Sequence, residues 1–339
     1  MLLGAAHVRL SATRDRFEKL RTLSWPMERW KEQYRCSVPR FHALTACARA
    51  QIEAHHDANA VVQVGAWFSS SAVTRLPCFS YHDTNAALGY RYYGRGLLSD
   101  SRRREHLQWE HDVYAGMRGV FVMSSWLASS FHTDFGVPLQ NIHVVGAGVN
   151  TGRLPDIPVR DFSVPRFLFV GKDFVRKGGQ YLLNAFAEVK RKFANAELII
   201  VGPSLSLDQA GVRSLGFLSH ANAEHVAQLH QLFLSATTVV LPSVYEPFGI
   251  SLLEGMAFAL PGIATNRCAM PEIVRHRETG LIVEAENVAA LAEAMLEIAG
   301  NPRAAREMGL AGRTRVESDF TWDAVARKIK GILVSSVGP

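Results

Sequence analysis

Cysteine is scarce in this 339-residue chain: Cys36, Cys47, Cys78 and Cys268 are the only four, with no CxxC pair and no histidines at matching spacing. That argues against a disulfide framework or a structural metal site and fits a reducing cytoplasm. Long hydrophobic runs are missing as well, none approaching the ~18 apolar residues of a membrane span. The opening "MLLGAAHVRLSATRDRFEKL" has too short an apolar run for a secretory leader, and its basic residues follow that run rather than precede it. The expected location is therefore cytoplasmic. Two phosphate signatures are absent: no GxxxxGK[ST] occurs, and no GxGxxG follows a strand. Internal repeats and low-complexity tracts are lacking too.

What remains is ordinary globular material, 48% hydrophobic and 20% charged, enough for sizeable cores. The length suits two domains. A formal net charge of +6 suits an anionic partner: a nucleotide, nucleic acid or an anionic lipid. A mildly basic surface with no such partner is the commoner outcome, and no nucleic acid is expected.

The C-terminal half is the more regular. "RFLFVG" (166–171) and "ELIIVG" (197–202) are short apolar runs that stop at glycine, as buried parallel strands do. "TTVVLP" (237–242), "GIAT" (262–265), "GLIV" (280–283) and a stretch near Leu215 continue the series, with helical patterns such as "GGQYLLNAFAEVKRKF" between them. Strand and helix in alternation predict a doubly wound parallel sheet, whose ligands sit at the carboxyl ends of the strands. The N-terminal half alternates more loosely, with strands expected at 60–65, 77–82, 119–124 and 142–148. Three prolines and no periodicity mark 150–165 as a linker. The expected organisation is an N-terminal Rossmann-like domain over 1–150, a linker over 151–165, a C-terminal Rossmann-like domain over 166–320, and a last helix over 321–339. Two such domains would face each other across a cleft.

Chemistry concentrates in two stretches of the C-terminal half. In "FVGKDFVRKGGQYLL" a strand ends at Gly171, a basic loop carries Lys172, Arg176 and Lys177, and Gly178–Gly179 opens a helix. Cations and free backbone N–H groups at one strand end suit a phosphate or diphosphate; the bland alternative is an exposed basic loop with a glycine cap. In "SVYEPFGISLLEGMAFA", Pro247 and Gly249 hold a loop open before a helix. Glu246 then lies on the loop, and the N–H groups of Phe248, Gly249 and Ile250 point outward at a helix start, ready for an anion or a sugar hydroxyl. Glu254, one turn into the helix, would accept from a ribose diol. A solvated surface glutamate is the alternative for Glu254, weakened by Leu252, Leu253, Met256 and Phe258 around it.

The basic "GKDFVRKG" loop followed by E-P-F-G-x-x-x-x-E resembles the retaining GT-B glycosyltransferases of the GT4 group. "PEIVRHRETGLIV", the "FVMSSWLASSFHTDFGVPLQNIHVVGAGVN" block and the "TW" helix extend the likeness over roughly residues 60 to 333. The resemblance implies a GT-B fold of two Rossmann-like domains and a sugar donor such as a UDP-, GDP- or ADP-sugar. Gly171, Lys172 and Lys177 would lie on its diphosphate, Glu246 and the Phe248–Ile250 backbone on the sugar, and Glu254 on the ribose. The last helix would cross back onto the N-terminal domain.

In "CFSYHDTNAALGYRYYGRG" the His82–Asp83 pair ends a strand, and His82 resembles the histidine such enzymes place beside the reacting bond. Capping of a strand and turn is the alternative. The following Tyr90, Arg91, Tyr92, Tyr93 and Arg95 suit a sugar or lipid-phosphate acceptor, or a solvated loop.

Two features depart from the pattern. No strand ending in Gly-Gly precedes Ala60, where polar, basic helical stretches stand instead, and Cys268–Ala269 replaces glycines.

The implied reaction is metal-independent transfer of a sugar to a hydroxyl acceptor (glycan, glycolipid or small molecule) with retention. His82, Asp83, Glu246 and Lys177 are its candidate catalytic groups, and no metal or bound cofactor is expected. The rival is a catalytically impaired nucleotide-sugar binder or partner subunit; an epimerase or a phosphorylase on the same fold is a further one. Trp25, Met27 and Trp30 among arginines and lysines would pack a helix on the domain or touch an anionic membrane peripherally.

Overall fold

The computed structural model describes residues 7–12, 15, 33–92, 98–151, 153–157 and 159–337. The candidate membrane-contact residues Trp25, Met27 and Trp30 lie outside the described residues, as do Tyr93 and Arg95. The chain divides into two compact units, one of Met1–Val145 with Lys328–Pro339, the other of Gly146–Arg327. Among the described residues no helix is long and apolar enough to cross a membrane.

The first unit contains α1 (Val38–Glu53), β1 (Val61–Val64), β2 (Cys78–His82), α2 (Ala86–Tyr92), α3 (Asp100–Ala115), β3 (Gly119–Val122), α4 (Ser125–Phe135) and β4 (Ile142–Val144). Its four strands pair in chain order and all in parallel. β2 and β3 are the middle strands, and every residue of both is buried. Such strands read as unbroken apolar runs because both faces are covered. Val113, Tyr114, Val120, Val122, Leu127 and Phe131 form the centre of the core. Helix ends are set locally: Ser37, Ser99 and Ser124 accept from the N–H groups of Arg40, Arg102 and Leu127, and Gly136 closes α4 in the left-handed conformation.

The second unit holds β5 (Arg166–Val170), α5 (Gly179–Lys192), β6 (Glu197–Val201), β7 (Val212–Ser214), α6 (Ala223–Ser235), β8 (Thr238–Leu241), α7 (Ile250–Ala257), β9 (Gly262–Thr265), α8 (Met270–Ile273), β10 (Gly280–Val283), α9 (Val288–Gly300) and α10 (Pro302–Asp319). The final helix, α11 (Trp322–Val337), has residues in both units. The sheet is wholly parallel in the order β10-β9-β8-β5-β6-β7. Chain direction across the sheet reverses between β5 and β8, where Phe167 pairs with Thr238 and Leu168 with Val239. That is the strand order of a doubly wound Rossmann sheet, and the reversal opens a crevice at the carboxyl ends of β5 and β8. α5 buries Leu182, Leu183, Phe186 and Val189, the face its spacing predicts, and ends in Lys190, Arg191 and Lys192, which complement the helix dipole.

The proline-rich stretch expected as a linker is strapped to the second unit. Arg160 donates to the carbonyls of Phe233, Leu234, Ala236 and Phe258, where α6 ends and α7 gives out. Arg313, buried on α10, donates to Pro155 and Ala257 carbonyls and pairs with Glu317. One planar guanidinium thus satisfies several carbonyls that helix ends leave without partners.

Candidate functional site

The crevice between β5 and β8 is built by two loops that lock onto each other. After β5, Asp173 accepts from the Arg176 backbone N–H at 3.1 Å and pairs with its Nε at 3.1 Å. That turn delivers Lys177 and then Gly178, which caps α5 with φ +74°. A Cβ at Gly178 would meet the Pro242 carbonyl oxygen at 1.9 Å, so only glycine permits this approach of the α5 cap to the end of β8. Gly171 has a different duty: a Cβ there would lie 2.2 Å from Lys177 Cδ. The lysine stem crosses the strand end over the space that glycine leaves.

After β8, the Val244 N–H donates to Arg176 O at 3.0 Å, and Arg176 Nη1 donates to Tyr245 O at 2.6 Å. These bonds fix Glu246. Its Oε2 lies 2.7 Å from Lys177 Nζ and 3.5 Å from Arg176 Nη1, with all three side chains largely buried. Phe248 is buried and packs edge-on to Phe320 at 6.3 Å. Gly249, with φ +88°, caps α7, and Ile250 begins it. Every residue of α7 from Ser251 to Ala257 is buried, because the helix lies directly on the sheet, with Gly255 against Val239.

Glu254 is therefore a carboxyl group inside a buried helix, 6% exposed. Burial pushes its pKa up to about 7, opposed by the Lys177 charge. Among the described residues its carboxylate takes no hydrogen bond, which leaves it ready for a donor from outside the chain. Lys172 points elsewhere. Its ammonium sits 3.8 Å above the ring of Phe217, a half-exposed residue following β7.

Arg176, already one of the basic-loop cations, belongs to this constellation, and so do Phe217 and Cys268. Arg176 had a signal, one position before Lys177 in the basic loop. Phe217 had none, since it comes from a distant loop. Cys268 takes φ +51°, a left-handed value that glycine adopts most easily. Its thiol is pushed up to about 11 by burial, opposed by a hydrogen bond with the Glu246 backbone.

His82 and Asp83 lie in the first unit, and their environments differ. His82 ends β2 but is 3% exposed. Its ring packs against Tyr114 at 5.2 Å and Phe131 at 5.0 Å, and among the described residues Nε2 has no hydrogen-bond partner. Burial drives its pKa down to about 3, so the imidazole is neutral. In this middle strand the ring lies in the core, at the strand end. Asp83, the next residue, is exposed. Behind them, Glu110 accepts from the Ala86 N–H at 2.8 Å and the Tyr114 hydroxyl at 2.9 Å, fixing the start of α2. Among the described residues no group of three or more His, Cys, Asp or Glu is arranged to hold a metal ion.

Residues 158–315 match the family model "Glycosyl transferases group 1". The chain is 33% identical over 204 residues to glycogen synthase of Mycobacterium tuberculosis, covering 57% of this chain and 48% of that protein. It is 39% identical over 217 residues to alpha-maltose-1-phosphate synthase of Mycolicibacterium smegmatis, covering 56% of this chain and 55% of that one. The matches thus span about half the length of these curated relatives. Among solved structures, sucrose-phosphate synthase from Thermosynechococcus elongatus superposes with a TM-score of 0.67 at 22% identity, over 86% of this chain and 78% of that one. A match over the crevice-bearing unit, with a fold likeness reaching both units, makes this chain a GT-B protein related to the group 1 glycosyl transferases of the GT4 group.

Proposed function

We propose that the chain transfers a sugar from a nucleoside diphosphate sugar to a hydroxyl acceptor, with retention of anomeric configuration. The observation that carries this reading is the grouping of Lys177, Arg176, Glu246 and Glu254 at the switch point of the second unit's sheet. The relatives named above act on sugars, and the cations and carboxylates here suit the two halves of a nucleotide sugar.

In this reading the diphosphate lies at the α5 N-terminus, beside Gly171. Lys177 and Lys172 carry its charge, and Lys172 leaves Phe217 to do so. Glu246 and the N–H groups of Phe248, Gly249 and Ile250 hold the sugar, and Glu254 accepts from the ribose hydroxyls. The bond from the anomeric carbon to the phosphate oxygen breaks, and the bond to the acceptor oxygen forms on the same face. The acceptor's proton passes to the leaving phosphate oxygen. Once the donor is bound, the negative charge that grows on the diphosphate meets cations drawn there on binding, so little further reorganisation is needed in the transition state. Asp83 at the β2 end is proposed to contact the acceptor or the sugar, and His82 to shape that strand end through its neutral, packed ring.

The experiment is a panel of UDP-, GDP- and ADP-sugars assayed for turnover with and without EDTA, with product configuration read by proton NMR. One donor turned over at an unchanged rate in EDTA, giving the same anomer, supports the proposal. Saturable binding of a donor with no turnover on any acceptor would favour a non-catalytic nucleotide-sugar binder.

A further inference from the structure

Of the three cations in the loop after β5, Lys172 alone is in no ion pair among the described residues. Arg176 pairs with Asp173 at 3.1 Å and lies 3.5 Å from Glu246, and Lys177 lies 2.7 Å from Glu246. Lys172 is exposed, and its ammonium rests 3.8 Å from the centroid of the Phe217 ring. An aromatic ring at an exposed site holds a cation weakly, whereas a phosphate oxygen holds it through a charge-assisted hydrogen bond. Lys172 is thus the cation that an entering phosphate recruits at the least loss.

Backbone packing brings Phe217 to it. Gly202, after β6, takes φ +130°, and a Cβ there would meet the Gly171 carbonyl oxygen at 2.1 Å, so the ends of β5 and β6 lie against each other. The Gly202 N–H donates to Gly216 O at 2.8 Å, and the Leu215 N–H donates to Ile200 O at 2.9 Å. Ser214, the last residue of β7, ties the loop after β6: its hydroxyl donates to Pro203 O at 2.8 Å and accepts from the Leu205 N–H at 3.2 Å. Ser204, Leu205, Ser206, Ser214, Leu215 and Gly216 line a cavity of about 530 Å³, and this lining stops one residue short of Phe217. Phe217 itself is 50% exposed, so its ring is not committed to the core.

Drawing Lys172 off the ring has a cost that depends on the ligand. Pyrophosphate takes the ammonium and leaves the ring bare to water. A nucleoside diphosphate brings a base as well, and every base has a flat face that stacks on an aromatic ring. The serine hydroxyls of the adjoining cavity, which both donate and accept, suit the polar edge of such a base.

We infer that Phe217 is a specificity residue: it gives up Lys172 in exchange for the base of a nucleoside diphosphate, and so discriminates against phosphate anions that carry no base. The inference rests on the donor site proposed above.

The test is calorimetric titration of the full chain with pyrophosphate and with UDP, GDP and ADP, in the parent, Phe217→Leu, Phe217→Trp and Lys172→Met. Phe217→Leu frees Lys172, so pyrophosphate should bind about twofold to fivefold tighter, the worth of a cation–π contact at an exposed site. The same variant should bind the preferred nucleoside diphosphate about threefold or more weaker, because the base loses its ring. A loosened fold would weaken both ligands together, so opposite signs separate a specificity role from a structural one. Phe217→Trp keeps an aromatic face and should hold both affinities within about twofold of the parent. In Lys172→Met, adding Phe217→Leu should no longer tighten pyrophosphate. Pyrophosphate affinity unchanged or reduced in Phe217→Leu, both ligands moving in one direction, or a gain that persists without Lys172 would overturn the inference while leaving the donor site standing. No binding of pyrophosphate or of any nucleoside diphosphate to the parent would overturn the donor site and this inference with it.

Discussion

Lys177 Nζ and Glu246 Oε2 are 2.7 Å apart, in a pocket where both side chains are mostly shielded from water. The cation proposed for the donor's phosphate is thus already neutralised by the carboxylate proposed for its sugar. A nucleoside diphosphate entering the crevice competes with Glu246 for Lys177, whereas a complete nucleotide sugar gives Glu246 hydroxyls in exchange.

It follows that Glu246→Gln separates binding from turnover. Coupling between close, largely buried charges is about 1.5 kcal/mol or more, so the affinity for the bare nucleoside diphosphate should rise about tenfold or more. Turnover of the nucleotide sugar should fall by more than about tenfold as the sugar loses its charged acceptor. Calorimetry and a steady-state assay on one preparation measure both.

Gly171→Ala should imitate loss of the lysine. The added methyl would occupy the position of Lys177 Cδ, 2.2 Å away, and the flexible stem must swing aside. The fold should survive, because a side chain and not backbone gives way. Nucleoside diphosphate affinity should drop about tenfold, and thermal unfolding should change by a few degrees at most.

Glu254 gives a pH signature. Its pKa is raised from the ordinary 4.5 to about 7, so the folded protein holds a proton that the unfolded chain releases. Its contribution to stability is fully present below pH 4.5 and is lost as pH rises toward 7. The ceiling is roughly 3 kcal/mol, at ~1.4 kcal/mol per unit. Glu254→Gln should therefore gain in melting temperature relative to the parent between pH 5 and pH 8. A ribose that donates to the carboxylate favours its ionised form, so donor binding near pH 7 should release a proton, detectable by titration in buffers of different ionisation enthalpy.

His82 acts in the opposite sense. Its pKa is lowered from 6.5 to about 3 by burial, so the unfolded chain takes up a proton that the folded core refuses. Stability from this residue is complete above pH 6.5 and is lost as pH falls toward 3. His82→Phe keeps an aromatic ring beside Tyr114 and Phe131 and removes the orphaned Nε2. Melting curves should show the variant gaining on its parent as pH drops from 7 to 5.

The Rossmann-like sheets were legible because their strands are short apolar runs punctuated by glycine or proline: 166–170, 197–201, 238–241, 262–265 and 280–283 all formed within a residue of the pattern. Glu254 was legible for a related reason, since a carboxylate inside an apolar helix is conspicuous. Strand order was not written in any local pattern, yet the β5–β8 reversal is what brings Lys177 to Glu246 across 69 positions of chain.

Side-chain direction was the harder matter. β2 is buried along its whole length, so no alternation of polar and apolar residues marks which way His82 turns. The 151–165 stretch read as a linker because its prolines break periodicity. Its attachment through Arg160 to Phe233 and Phe258 depends on carbonyls that any residue supplies, and no spacing announces such a contact.

The central claim is that a nucleoside diphosphate group binds beside Lys177 at the β5–β8 switch point. Titration of UDP, GDP and ADP into the parent chain and into Lys177→Met tests it most directly. The account predicts saturable binding of at least one of the three, weakened by at least about thirtyfold in the variant, as removal of a charge-assisted phosphate contact requires. Equal affinity for parent and variant, or no binding of any of the three to the parent, would contradict it.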